Sequence, residues 1–203
     1  MKSLSEIETV SKRASKASGY SWGISEEVGK NIRILEMFGL PGIKNLNEYY
    51  DKKKNENFEK LKLISAKNVA INSKFCPIIS GTSFLDQINS LEDLKEIKIE
   101  KIAYPLLFLP FASRASELIG KRMMLKFDDN QFLLNFNISI FSKFLNKDVI
   151  ENANLLSIKI IDNKDYFSEQ EWIKLYKLSE ETFVEESESL KEKGAGAGLT
   201  DND

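Results

Sequence analysis

The chain has 203 residues, 42% of them hydrophobic, with 29 basic against 31 acidic side chains and one cysteine, but no histidine. Lacking imidazole, it cannot build a nucleophile–His–acid hydrolase or a zinc centre ligated by histidine. A formal net charge of −2 and an isoelectric point near 5.5 also argue against a basic nucleic-acid-binding face.

Ser3 followed by Glu6 is a capping-box pattern, and Ile7, Val10, Ala14 and Ala17 recur at helical spacing before Gly19. This predicts a first helix with that stripe as its apolar face. A second helix runs from about Trp22 to Phe38, with Ile24, Val28, Ile32, Leu35 and Phe38 on one side. Gly39 and Pro41-Gly42 stop it. Asn45 with Glu48 opens a short third helix that uses Leu46 and Tyr49, and the lysine-rich stretch 51–60 that follows reads as a solvated face or linker.

Beyond residue 61 the periodicity changes from helical to alternating. Cys76 to Ser80 reads as a short buried strand, with Gly81-Thr82-Ser83 turning into a helical piece. Ile97 and Ile99 alternate with charges, and Leu106 to Leu109 forms an apolar run bounded by prolines that reads as an edge or buried strand. Met123, Leu125 and Phe127, a turn at Asp128 to Asn130, then Phe132, Leu134, Phe136 and Ile138 make a hairpin. Leu156, Ile158 and Ile160 form a further strand. Ser168 with Glu171 caps a last helix with Trp172, Leu175 and Tyr176 on its apolar side.

The expected fold is α+β: an N-terminal helical pair and short third helix, a central and mainly antiparallel sheet, then a C-terminal helix and a glycine-rich tail. The expected divisions are a helical subdomain at 1–60, an α+β core at 61–190 and the glycine-rich segment at 191–203, together one compact domain. The opening residues lack the apolar run of a signal peptide, no stretch of about 18 apolar residues occurs, and a single cysteine gives no internal disulfide. The expectation is a cytoplasmic protein without membrane or nucleic-acid partners.

Four places carry candidate chemistry. In Gly19-Tyr20-Ser21-Trp22-Gly23, amphipathic aromatics at a helix–helix corner either face a ligand or plug the core, Trp22 in particular. In the terminal run, Gly194, Gly196, Gly198 and Thr200 offer backbone amides to an anion, and Asp201 and Asp203 offer carboxylates to a hard cation, if the tail does not fray. Arg114, among small residues, either meets an anionic ligand at a helix N-terminus or pairs with Glu117 on the surface. Cys76 beside Pro77 reads as a structural buried thiol.

The segment from Ser3 through Gly19-Tyr-Ser-Trp-Gly-Ile-Ser-Glu-Glu-Val, then Gly39-Leu-Pro-Gly42, with the terminal Gly-Ala-Gly-Ala-Gly-Leu-Thr-Asp-Asn-Asp, resembles a mainly alphaproteobacterial family of unknown function, DUF3726. The resemblance implies that the glycine-aromatic corner and the glycine-rich terminus are family signatures. It supplies no activity, cofactor or catalytic residue. Lys191 and Lys193 stand near the terminus where arginine is expected, which weakens a phosphate clamp there.

Three functions fit the residues. One is non-catalytic binding of an acidic metabolite, by Tyr20, Trp22, Arg114 and the folded-back terminus. A second is a histidine-independent enzyme assisted by Mg²⁺ held at Asp201 and Asp203. The third is an oligomerisation or partner-binding module.

Overall fold

The computed structural model describes residues 2–143 and 148–182. They divide into two compact units, one ending at Asn163 and the other beginning at Lys164.

The first unit opens with helices α1 (Leu4–Ala17) and α2 (Trp22–Met37), capped at Ser3 and Ser21 by side chains that accept the amides of Glu6 and Ile24. Gly19, at φ +92°, turns the chain between them. The face of α1 that is buried is Ser11 and Ser15, whereas Val10, from the predicted apolar stripe, is 59% exposed. Close packing explains this correction. A Cβ at Gly29 of α2 would come within 2.7 Å of the Glu8 carbonyl oxygen, a spacing only small side chains tolerate. The buried Ser15 hydroxyl stays satisfied, because it accepts from Tyr50 at 2.6 Å and donates to the Ser11 carbonyl at 2.6 Å.

Helix α2 buries Val28, Ile32 and Leu35 as its spacing predicts. It ends in a Schellman turn, with Gly39 at φ +71° and the Leu40 amide donating to the Leu35 carbonyl at 2.9 Å. Helix α3 spans Gly42–Lys53, three residues earlier than predicted. Asn45 is therefore not its cap. Its amide donates to the Pro41 carbonyl at 2.7 Å, and its Oδ1 accepts the Ile150 amide at 3.4 Å, tying α3 to the segment before the last strand.

Two strands expected from sequence are helical. Helix α4 runs Pro77–Leu91 with Cys76 as its N-cap and Pro77 in the first turn, where its fixed φ suits a helix start. It continues through Gly81, which lies flat against the Phe111 ring. The run at 106–109 forms a 3₁₀ turn, Pro105–Leu107, and the start of α5 (Leu109–Ile119). Tyr104 in the left-handed region (φ 42°) breaks the preceding strand, and Pro105 and Pro110 each sit in a first helical turn. Continuous hydrophobicity did not separate these alternatives, because both bury every residue.

The sheet orders its strands β1-β2-β6-β3-β4-β5, namely β1 (Lys67–Val69), β2 (Glu96–Ala103), β3 (Arg122–Phe127), β4 (Asn130–Asn135), β5 (Ser139–Ser142) and β6 (Asn152–Ile161). Among these six strands the β1–β2 pairing is parallel and the other four pairings are antiparallel. This is the expected mainly antiparallel α+β arrangement. Alternation sorts the faces: Ile97, Ile99, Leu125, Phe132, Leu156 and Ile158 are buried, while Lys98, Lys126 and Lys159 point to water. The hairpin pairs Phe127 with Asn130 around a two-residue turn, and Phe136 falls beyond β4, half exposed.

The second unit contains α6 (Glu169–Glu180), opened by the expected Ser168–Glu171 capping box. None of its residues is buried, and Trp172, Leu175 and Tyr176 are exposed. No helix among the described residues is long and apolar enough to cross a membrane.

Candidate functional site

The C-terminal end of α3, the corner between α1 and α2, the strap at 56–60 and the N-terminus of α4 line a half-open cavity of about 350 Å³. Backbone hydrogen bonds set the strap. The Glu59 amide donates to the Lys74 carbonyl at 2.9 Å and the Cys76 amide to the Glu59 carbonyl at 2.8 Å. The Glu59 carboxylate also accepts the amides of Ile71, Asn72 and Ser73, with Ser73 at 2.7 Å. Those bonds, the one from Ser73 foremost, hold its carboxyl below the usual range.

Inside the cavity three polar groups converge. Tyr20 and Tyr49 hydroxyls are 2.7 Å apart, and Cys76 Sγ lies 3.0 Å from Tyr49 and 3.6 Å from Tyr20. Cys76 Sγ also accepts the Ile79 amide at 3.3 Å, its role as α4 N-cap. Burial, reinforced by Cys76, pushes both phenols far above their ordinary value, so they remain protonated donors. Tyr49 is also a hub of ring contacts, with Phe58 at 5.3 Å and Tyr104 at 5.6 Å. Burial, then the nearby Glu151, pushes the Tyr104 phenol up to about 12.

Lys53 stands at the cavity with its position fixed. Its ammonium donates to the Ser18 carbonyl at 2.7 Å and lies 4.7 Å from the Tyr20 ring centroid. It has no ion-pair partner among the described residues. Lys60 and Glu56 also line the cavity, and Ile24, Ile79 and Phe58 supply apolar wall.

Of the residues singled out from sequence, Tyr20 lines this cavity and is 6% exposed. Trp22 does not line it. It is 56% exposed, with the ammonium groups of Lys12 and Lys16 at 5.8 and 5.4 Å from its ring, so the core plug at the corner is Tyr20. Arg114 lies within α5 rather than at a helix N-terminus, and its guanidinium donates to Glu27 and, at 3.3 Å, to Asn31 on α2. It is therefore committed to an interhelical ion pair, not to Glu117. Gly194, Gly196, Gly198, Thr200, Asp201 and Asp203 lie outside the described residues. Among the described residues no group of three or more cysteine, aspartate or glutamate side chains is placed to hold a metal ion.

Tyr49, Lys53, Glu56, Phe58 and Lys60 were not read from sequence as site residues. The stretch 51–60 carries the composition of a solvated linker, and only its contact with α4, some 20 residues on, turns it into a wall. The doublet Tyr49-Tyr50 at the end of a helix entering a lysine-rich run was the one available signal.

Fold and site together define an α+β protein with a small mixed-polarity cavity at the corner of an N-terminal helical pair. Residues 2–74 match the family model described as Protein of unknown function (DUF3726), so the resemblance read from the glycine-aromatic corner is borne out over that segment. The matched segment holds Tyr20, Tyr49, Lys53, Glu56, Phe58 and Lys60 and stops two residues short of Cys76. No curated protein and no solved structure shows significant similarity to the chain.

Proposed function

We propose that the protein binds a small anionic metabolite in the cavity at the Gly19–Ser21 corner. The observation that carries this is Lys53, an ammonium pinned by a carbonyl and an aromatic ring beside a cavity, with no carboxylate of the described chain neutralising it. A cation held in one rotamer binds an anion with little further ordering cost. Lys60 adds a second positive charge to the rim, and the aromatic and isoleucine walls exclude water from one side of a ligand. The one cysteine is buried and free, so no disulfide argues against the cytoplasmic location proposed for the protein.

Because Cys76 is the chain's one thiol and a buried part of the cavity wall, a reagent reaches it when that wall opens, which a bound ligand opposes. The rate at which a thiol-selective aromatic disulfide modifies the native protein should fall when a small carboxylate fills the cavity. An unchanged rate across a panel of mono- and dicarboxylates at millimolar concentration contradicts the reading.

A further inference from the structure

Resting on that reading, we infer that the cavity takes a zwitterionic α-amino acid with an apolar or aromatic side chain. The charges lining it are of both signs: Lys53 and Lys60 against Glu56. Glu56 is 3.9 Å from Lys52, which stands outside the lining, so its half-exposed carboxylate is only partly neutralised and adds negative charge to the cavity's rim. A dianion pays for that carboxylate by repulsion, whereas a ligand carrying an ammonium beside its carboxylate gains from both signs.

The rest of the wall fixes the ligand's body. Tyr20 and Tyr49 turn their hydroxyls onto each other and onto Cys76, so this buried pair forms the inner wall of the cavity with its polar groups already partnered. Phe58, Ile24 and Ile79 supply its apolar surface. A volume of about 350 Å³ lies at the small end of ligand pockets, which span roughly 300–1,000 Å³, and suits one small metabolite rather than a nucleotide.

The test is isothermal titration of the full chain with L-phenylalanine, L-leucine, 3-phenylpropanoate and phenethylamine. An amino acid should bind at least tenfold more tightly than the acid lacking the amine and the amine lacking the acid. Glu56→Gln should abolish the preference for phenylalanine over 3-phenylpropanoate, and Lys53→Gln should weaken both. Circular dichroism checks that each variant is folded. If wild type binds 3-phenylpropanoate as tightly as phenylalanine, or Glu56→Gln keeps the preference, the amino-acid class is overturned while the anion pocket stands. If neither compound binds and Lys53→Gln changes nothing, both readings fall.

Discussion

Lys53 shows how a residue that reads as solvated linker is fixed at a cavity by what it touches. Replacing its ammonium by the amide of Lys53→Gln should cost roughly 1.5–3 kcal/mol of anion binding, the usual worth of a hydrogen bond to a charged group, or about 10- to 150-fold in Kd. Titration calorimetry reads this directly. The cluster beneath it makes a separate prediction. Tyr49→Phe leaves Tyr20 with only a 3.6 Å contact to Cys76 Sγ and takes away the thiol's nearer phenol, so unfolding free energy should fall by about 1–3 kcal/mol. Glu27 carries the pH dependence of the helical layer. Its burial works against ionisation, but Arg114 and then Lys30 outweigh that and hold the carboxyl below its usual range. A carboxylate whose folded value lies below its unfolded value adds stability above the unfolded value and loses it as pH falls through the folded one. The melting temperatures of wild type and Glu27→Gln should therefore differ by a constant amount from pH 8 down to about 5.5, then converge below an ordinary glutamate value of about 4.3.

At the scale of elements, the sequence revealed alternation well and continuous burial poorly. The strands with one wet face, β2, β3, β4 and β6, were legible because Ile97/Lys98 or Leu125/Lys126 alternate cleanly. The starts of helices α4 and α5 were missed where nearly every residue is buried and period carries no information. Helix α1 misled in the opposite way, since Val10, Ala14 and Ala17 of its predicted stripe are outside, Ile7 packs partly on the core and two serines are inside. What decides that face is backbone proximity, invisible in any hydropathy pattern. Gly29→Ala should accordingly force α1 away from α2 and cost about 1–3 kcal/mol, as overpacking does. For a chain of this size that is roughly 2–4 °C in Tm per kcal/mol, measurable by circular dichroism. Gly81→Ala meets the Phe111 ring and should behave similarly.

At the scale of the molecule, β6 is last in sequence yet central in the sheet, hydrogen-bonded to β2 on one side and β3 on the other. The sheet of the first unit thus closes only when Asn152 to Ile161 is present. A chain ending at Asn163 should melt cooperatively, whereas one ending at Asp148 should not, since it leaves β2 and β3 unpaired along one edge each. The candidate site draws on the same closure less directly, through Phe75, which is paired with β2 by hydrogen bonds to Lys101 and Ala103 and so places Cys76 at the cavity. The central claim is that this cavity binds an anion through Lys53. Thermal unfolding of the full chain and of Lys53→Gln against a panel of small carboxylates and amino acids tests it most directly. A ligand at a hundred times its Kd adds about 2.7 kcal/mol, so wild type should gain roughly 5–10 °C and Lys53→Gln much less. Equal shifts in both proteins, or none in either, would contradict the account.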